Sequence, residues 1–307
     1  MIKKVVYFLF LTFISTTAHA EMQIRQFGGI TYVDETTVSE LENLFKQHNY
    51  QRFRALEDNA YPAIIIRKIP TDFQEIKSQK YRNELFIRML TPLAFKVNEE
   101  ISNERNMLLR IERHWERDKK LSSSEQRKLE ILAKKYDYFT RQKDDIRIGN
   151  QILNLKLRVN VVPPSILVST AAIESNWGDS RLVKEANSLY KEKIWYTKEG
   201  LEPLENKQDG FRFKIFGSLI ESMRSFALTF NSNINYETAW EMRAELHKRH
   251  KVILGESLAF SLASSSTLPN FAGILDYTSA YYDLMALDMG KIKRETQNDT
   301  KNNANSL

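Results

Sequence analysis

The sequence predicts a mainly helical α+β protein that contains one small β-hairpin. In several segments apolar residues recur at spacings of three and four, the period of an amphipathic helix. Between residues 190 and 216 this period is lost, and Phe211, Phe213 and Ile215 alternate with other residues, as in a hairpin strand. The 307 residues are enough to bury a sizeable core. The absence of cysteine excludes disulfides, thiolate metal sites and a cysteine nucleophile.

Residues 1–20 have the pattern of a secretory signal peptide. Lys3 and Lys4 precede an apolar run from residue 5 to 14, and Ala18-His19-Ala20 is a small-x-small cleavage site. The run is about half of the ~20 residues that a membrane span requires. We therefore expect cleavage rather than an uncleaved anchor, and an exported protein of the periplasm or cell envelope that keeps no stable membrane span.

The charge of the chain bears on its partners. The formal net charge is +6, and removal of the two leader lysines would leave +4. This mild excess favours weak attraction to anionic wall or membrane surfaces. Because no basic-aromatic reader motif is present, nucleic acid is not an expected partner. Nothing in the sequence sets an oligomeric state.

Residues 21–149 are predicted to form an N-terminal helical region without a catalytic cluster of its own. A short helix is expected from residue 38 to about 56. Proline cannot continue the helical hydrogen-bond ladder, so Pro92 is expected to interrupt or restart the next helix. A long amphipathic helix follows, with apolar positions Leu93, Val97, Ile101, Leu108, Ile111 and Trp115. Ser122 and Glu125 form a capping-box pattern that opens another helix.

A nearly all-apolar helix is predicted after residue 163, with a single carboxylate at its end. Pro163-Pro164 suits a helix start, and the following run to Ile173 is apolar nearly all round, which is typical of a buried helix. Asn176 and Gly178 tolerate the left-handed conformation that closes a helix. Glu174 is therefore expected in the final turn.

The position of Glu174 suggests the acid of a sugar-cleaving site. Both the negative end of the helix dipole and apolar neighbours disfavour the ionised carboxylate. A carboxylic acid that stays protonated near neutral pH can protonate a leaving oxygen, as glycosidases require. The alternative is that Glu174 pairs with Arg181 or a nearby lysine at the surface.

The remaining chain is predicted to be helical up to a polar tail. Gly217-Ser218 opens one helix, and further helices are expected at about 236–251, 257–264 and 273–286. Residues 289–307 contain few apolar side chains and are expected to be disordered.

Several motifs of the second half occur together in a known order. They are Pro163 to Val168, Ala171 to Ser180, Asn187-Ser188-Leu189-Tyr190, Phe211 to Met223, Tyr277 and Tyr282. Over residues 150–288 they resemble the bacterial glucosaminidases of glycoside hydrolase family seventy-three, which includes the flagellar muramidase and many autolysins. The stretch Lys80 to Ala133 is similar to the helical N-terminal region of the exported bacterial Bax proteins.

This resemblance implies a lysozyme-like glucosaminidase domain with a small β-hairpin lobe. It also implies cleavage of the β-1,4 bond after N-acetylglucosamine in peptidoglycan glycan strands, without a cofactor. Glu174 would be the general acid, and Tyr277 would assist the chemistry. The residues that would bind substrate are Trp177, Ser180, Asn187, Tyr190 and Tyr282. For Trp177 and Tyr190 the alternative is ordinary packing.

The second catalytic group is left open. Candidates in the predicted hairpin lobe are Glu199, Glu202, Glu205 and Asp209. The resemblance also allows the acetamido group of the substrate, or a directly activated water. No metal site is expected, because His247 and His250 lie among lysine and arginine residues that oppose cation binding.

Three functions are consistent with these observations. The first is the glucosaminidase activity, and the second is a lytic transglycosylase-like activity on the same fold, which leaves an anhydro end. The third is a non-catalytic wall-binding scaffold. It is favoured by Ala186 and by Lys191 to Trp195, which differ from the family pattern.

Overall fold

The computed structural model describes residues 22–138, 144–205, 207–249, 251–263 and 268–294, so the expected leader lies outside the described residues. The fold is mainly helical with small sheets, as the sequence predicts. The helices are α1 (Val38–Gln47), α2 (Arg52–Glu57), α3 (Gln79–Asp118), α4 (Ser123–Lys135), α5 (Asp144–Arg158), α6 (Pro164–Glu174), α7 (Arg181–Ala186), α8 (Leu219–Ser232), α9 (Glu237–Lys248) and α10 (Phe271–Tyr281). The strands are β1 (Ile24–Phe27), β2 (Ile30–Val33), β3 (Ala60–Pro62), β4 (Ile64–Ile66), β5 (Lys193–Trp195), β6 (Phe211–Phe213) and β7 (Lys291–Lys293).

The long helix α3 runs through Pro92, so the expected interruption there is wrong. Proline lacks the N–H that would bond the Arg88 carbonyl one turn earlier. The hydroxyl of Tyr50 donates to that carbonyl oxygen at 3.0 Å instead. A residue distant in the sequence thus compensates for the lost bond, and the helix continues for 40 residues.

The N-terminal region contains strands that the helical pattern did not predict. β1 pairs antiparallel with β2, and β2 pairs parallel with β4. The three isoleucines of β4 are all buried, and β-branched side chains favour a strand in such a place. The region is therefore α+β up to residue 66 and helical after it.

The start of the predicted tail is ordered, which corrects the expectation for residues 289–294. Strand β7 pairs parallel with β3, with Ile292 opposite Tyr61. The Lys291 N–H donates to the carbonyl of Asn59 at 3.0 Å. Backbone pairing does not require apolar side chains, so composition alone did not reveal this strand. The rest of the tail lies outside the described residues.

The core consists of two apolar clusters that share α3. The larger cluster combines the first half of α3 with the small sheets, α6, α8 and α10. The smaller cluster combines the second half of α3, around Trp115, with α4 and α5. The expected boundary near residue 150 falls inside α5 and does not coincide with a gap between the clusters.

Several local predictions are confirmed. Ser122 and Glu125 form the capping box of α4, and β5 and β6 form the antiparallel hairpin, with Trp195 opposite Phe211. The segment expected as a helix at 257–264 is a 3₁₀ helix over Glu256–Leu262. Within the described ranges, no helix is both long and apolar enough to cross a bilayer.

Candidate active site

Helix α6 places Glu174 at its last position, as predicted. The helix starts at Pro164, and the Asp288 carboxylate accepts the backbone N–H and the hydroxyl of Ser165 at 2.9 and 2.8 Å. Burial raises the pKa of Asp288, although the donors of Ser165 and Gly255 oppose this effect. The start of α6 is therefore held by a partly buried carboxyl from the C-terminal part of the chain.

A tight left-handed turn follows Glu174. Asn176, Trp177 and Gly178 have φ values of 50°, 57° and 79°. The Trp177 N–H donates to the carbonyl of Ala172 at 2.7 Å, which closes the helix. Positive φ is expected for asparagine and glycine but is unusual for a bulky tryptophan, so the surrounding packing must hold Trp177 there.

The carboxylate of Glu174 lies close to an ammonium group. The Nζ of Lys191 is 3.4 Å from Oε2, and the two side chains are 41% and 13% exposed, respectively. Arg181, the other expected partner, pairs with Glu185. The lysine alternative of the sequence is thus the arrangement observed.

The turn after Glu174 rests on the first turns of α3. The Phe86 and Trp177 rings meet edge to face at 6.3 Å, and Arg82 pairs with Asp179 at 2.9 Å. A methyl group at Gly178 would lie only 2.8 Å from ring carbons of Phe86. Sequence reasoning missed these α3 residues, because their partners are about 90 residues away in the chain and no local pattern reveals them.

An aromatic series leads from this turn to α10. The ring of Trp177 lies 4.5 Å from that of Tyr282, whose hydroxyl accepts a hydrogen bond from Asn83 at 2.6 Å. Tyr282 contacts Tyr281, and Tyr281 stacks with Tyr277 at 5.8 Å. Tyr277 and Tyr281 are 68% and 67% exposed, so the series ends in two stacked, accessible rings. Tyr281 was not predicted, although its spacing of four from Tyr277 indicates a shared helix face.

The other expected substrate-binding residues have structural contacts. Ser180 caps α7, with its hydroxyl accepting the Val183 N–H. Asn187 ends α7 in the left-handed conformation and donates to the Phe216 carbonyl at 2.9 Å. Tyr190 is buried.

Tyr190 packs in the interior, which is the alternative to substrate binding that its sequence position allowed. Its ring stacks on Phe226 at 4.1 Å, and its hydroxyl donates to the Leu167 carbonyl at 2.9 Å. Burial raises the pKa of Tyr190 well above its usual value. The side chain thus supports α6 from below the surface.

The candidate second carboxylates are all exposed in the hairpin lobe. They are Glu199, Glu202, Glu205 and Asp209. Glu192, which was not considered, is more buried; Ser225 donates to its Oε2 at 2.7 Å, and its Oε1 is buried without a partner among the described residues. Burial raises the pKa of Glu192, although Ser225 and Lys214 oppose this. It is the carboxyl of this lobe with the most unusual environment.

No group of three or more histidine, cysteine, aspartate or glutamate side chains is arranged to hold a metal within the described part of the chain. His247 lies in the last turn of α9, and His250 lies outside the described residues.

Comparisons with known proteins agree with the resemblance. Residues 150–283 match the glucosaminidase family, described as mannosyl-glycoprotein endo-beta-N-acetylglucosaminidase. The chain is 26% identical to protein Bax of Escherichia coli (strain K12) over 198 residues, which cover 64% of this chain and 68% of that protein. The catalytic domain of the autolysin Auto from Listeria monocytogenes is 18% identical, with a TM-score of 0.37 and coverage of 69% of this chain and 90% of that domain. The family match identifies residues 150–283 as a glucosaminidase domain, which is a glycoside hydrolase domain, and the chain is similar in sequence to protein Bax.

Proposed function

We propose that the chain is an exported peptidoglycan hydrolase that cleaves the β-1,4 bond after N-acetylglucosamine, with Glu174 as the general acid. The supporting observation is the position of Glu174, a mostly buried carboxyl at the end of a buried helix within the matched segment. Its proton would pass to the glycosidic oxygen as the bond to the sugar carbon breaks, and water would complete the hydrolysis.

The acid has to reach the glycosidic oxygen, but the ammonium of Lys191 lies 3.4 Å from its Oε2. We therefore include in the proposal that a bound sugar separates Lys191 from Glu174. The partial exposure of Lys191 supports this, since a side chain that reaches solvent has room to change its conformation.

Tyr277 and Tyr281 are the proposed sugar platform. Aromatic faces suit the apolar side of a pyranose ring, and these two rings are stacked and exposed. Trp177, Tyr190 and Tyr282 would act from behind the surface, by holding α6 and its turn. Direct contact of Ser180 or Asn187 with the glycan stays a prediction.

The stereochemistry of the product would restrict the second group. Retention requires either a carboxylate nucleophile about 5 Å from the acid or participation of the substrate's own acetamido group. Inversion requires a base about 6.5–9.5 Å from the acid. Proton NMR of the first product reads the anomeric configuration. Glu192 and the four exposed lobe carboxylates then become candidates for single glutamine or asparagine substitutions.

We further propose that residues 1–20 direct export to the periplasm or envelope and that residues 150–288 carry the chemistry. The N-terminal region 21–149 would position the turn after Glu174. The contacts of Arg82 and Phe86 with this turn support that role.

The test is digestion of purified sacculi by the mature protein and by its Glu174→Gln variant, with released muropeptides identified by mass. Glu57→Gln is the matched control, because Glu57 is an exposed glutamate on α2. We expect fragments with reducing N-acetylglucosamine ends from the wild type and the control, and none from Glu174→Gln.

Other products would select the other functions. Anhydro ends would indicate the transglycosylase-like reaction. Sacculus binding without fragments, unchanged by Glu174→Gln, would indicate a scaffold. Undiminished fragments from Glu174→Gln would refute Glu174 as the acid.

A further inference from the structure

A cavity of about 390 Å³ lies between the segment after β4 and the end of α7. Its lining residues are Lys68, Ile69, Pro70, Thr71, Gln74, Lys184, Glu185 and Asn187. Glu174 is not among them. The cavity nevertheless borders the turn that follows the acid, because the Ile69 side chain would lie 3.1 Å from a methyl group at Gly178.

The charges of the cavity leave one cation without a counter-ion. Lys68 pairs with Glu35 at 3.0 Å, and Glu185 pairs with Arg181 at 2.9 Å, so these two lining charges are satisfied by residues outside the cavity. Lys184 is exposed, and its ammonium group has no ion-pair or hydrogen-bond partner among the described residues. The unbalanced charge of the cavity is therefore positive.

A second donor in the cavity is also unused. The Nε2 of Gln74 is buried and has no hydrogen-bond partner among the described residues. Buried polar atoms in native proteins are nearly always bonded, so an unpaired amide in a cavity wall indicates a ligand or solvent partner. An ammonium and an amide N–H₂ together match an acceptor-rich anion, and a carboxylate above all.

We propose that this cavity binds a carboxylate of the peptide stem on the glycan strand, with Lys184 and Gln74 as the donors. The inference rests on the proposed peptidoglycan substrate. In that polymer the sugar rings are neutral and the carboxylates are on the peptide arm, so a cationic cavity beside the acid-bearing turn selects the stem. The protein then recognises the stem and the sugar at separate places.

The experiment measures binding of two soluble probes to the mature protein by calorimetry. One probe is a disaccharide that carries a peptide stem with free carboxylates. The other is the neutral, peptide-free disaccharide of N-acetylglucosamine, because a muramic acid without its peptide would expose a lactyl carboxylate of its own. Lys184→Gln removes the charge, and Gln74→Leu removes the amide donor. Lys128→Gln is the control, since Lys128 is an exposed lysine on α4.

Lys184→Gln is expected to weaken binding of the stem-bearing probe about fivefold, as for the loss of about 1 kcal/mol at an exposed ion pair. Binding of the peptide-free probe is expected to be unchanged, and Lys128→Gln is expected to bind both as the wild type does. Gln74→Leu should act in the same direction as Lys184→Gln. Equal weakening for both probes, or no effect of Lys184→Gln on either, would overturn the proposal.

Failure of this proposal and failure of the proposed function have different signatures. If the protein cleaves sacculi but its binding of the stem-bearing probe does not depend on Lys184, only the cavity assignment is contradicted. Stem binding that depends on Lys184, in a protein that releases no fragments, would contradict the hydrolase assignment alone. If Gln74→Leu fails to fold, Lys184→Gln, which changes an exposed side chain, still decides the question.

Discussion

The ion pair between Lys191 and Glu174 gives a sharp prediction about substrate binding. Lys191→Met removes the ammonium that lies 3.4 Å from the carboxylate and keeps much of the side-chain volume. In the proposed function a bound sugar separates the two side chains, so the variant has no pair to break when substrate binds. The KM for fragment release is therefore expected to fall, while kcat changes less.

The size of this change follows from the distance and the exposure. Two unit charges about 4 Å apart interact by about 1 kcal/mol in a water-like dielectric, and exposed ion pairs contribute about 0.2–1 kcal/mol. Lys191 is 41% exposed, so solvent screens part of the attraction. Since about 1.4 kcal/mol corresponds to a factor of ten, we expect KM to fall about threefold.

The assay measures kcat and KM for fragment release at low and high salt. Lys193→Met is the matched control, because Lys193 is an exposed lysine two residues away that lies over the Phe211 ring. Salt should lower the wild-type KM toward that of Lys191→Met, and it should leave the KM of Lys191→Met unchanged.

Two results would refute this reasoning. An unchanged or raised KM for Lys191→Met would mean that substrate binding does not separate the pair. A fall of the same size in Lys193→Met would mean that the effect comes from general surface charge rather than from the pair.

Three further predictions concern the residues that hold the site. Gly178→Ala should destabilise the fold by about 1–3 kcal/mol in urea unfolding, because its methyl group would crowd Phe86 and the backbone there is left-handed. A variant as stable as the wild type would show that the turn can move to accommodate the methyl group. Arg82→Gln should lower kcat about tenfold while the unfolding midpoint changes little, because it breaks the ion pair that holds Asp179 in the turn after Glu174. Arg82→Lys should restore part of the activity. Equal losses of stability and activity would indicate a purely structural role. Burial raises the pKa of the Asp288 carboxyl in the fold, so its protonated form is the one that favours folding. That contribution is present below the unfolded pKa of about 3.9 and is lost as pH rises through the folded value. The difference in unfolding free energy between wild type and Asp288→Asn should therefore fall over this window, and a difference that rises or stays constant would contradict the assignment.

Local patterns were sufficient to predict the position of Glu174. Proline before α6, an all-apolar run and asparagine and glycine after it define a buried helix and its end, and each acts within a few residues. The capping box at Ser122 and the hairpin at Phe211 were predictable for the same reason. These elements are determined by neighbours in the chain.

The sequence-based expectations that the structure corrects share a different cause, which is contact between segments distant in the chain. Pro92 does not break α3, because the Tyr50 hydroxyl supplies the missing hydrogen bond. Strand β7 forms in a polar tail because its backbone pairs with β3, more than 200 residues earlier. The support of the turn after Glu174 by α3 likewise joins distant segments. No periodicity in a single sequence reports such contacts.

The sharing of α3 between two apolar clusters has a consequence for inheritance and engineering. The segment that matches the glucosaminidase family begins at residue 150, whereas the contacts that complete its core begin with α3. Cut out alone, that segment would expose to water the faces of α5, α6 and α8 that α3 covers, at about 25 cal/mol for each Å². A graft or fusion that transfers this activity therefore has to transfer α3 with it, so the unit that is exchangeable between proteins is larger than the unit that defines the family.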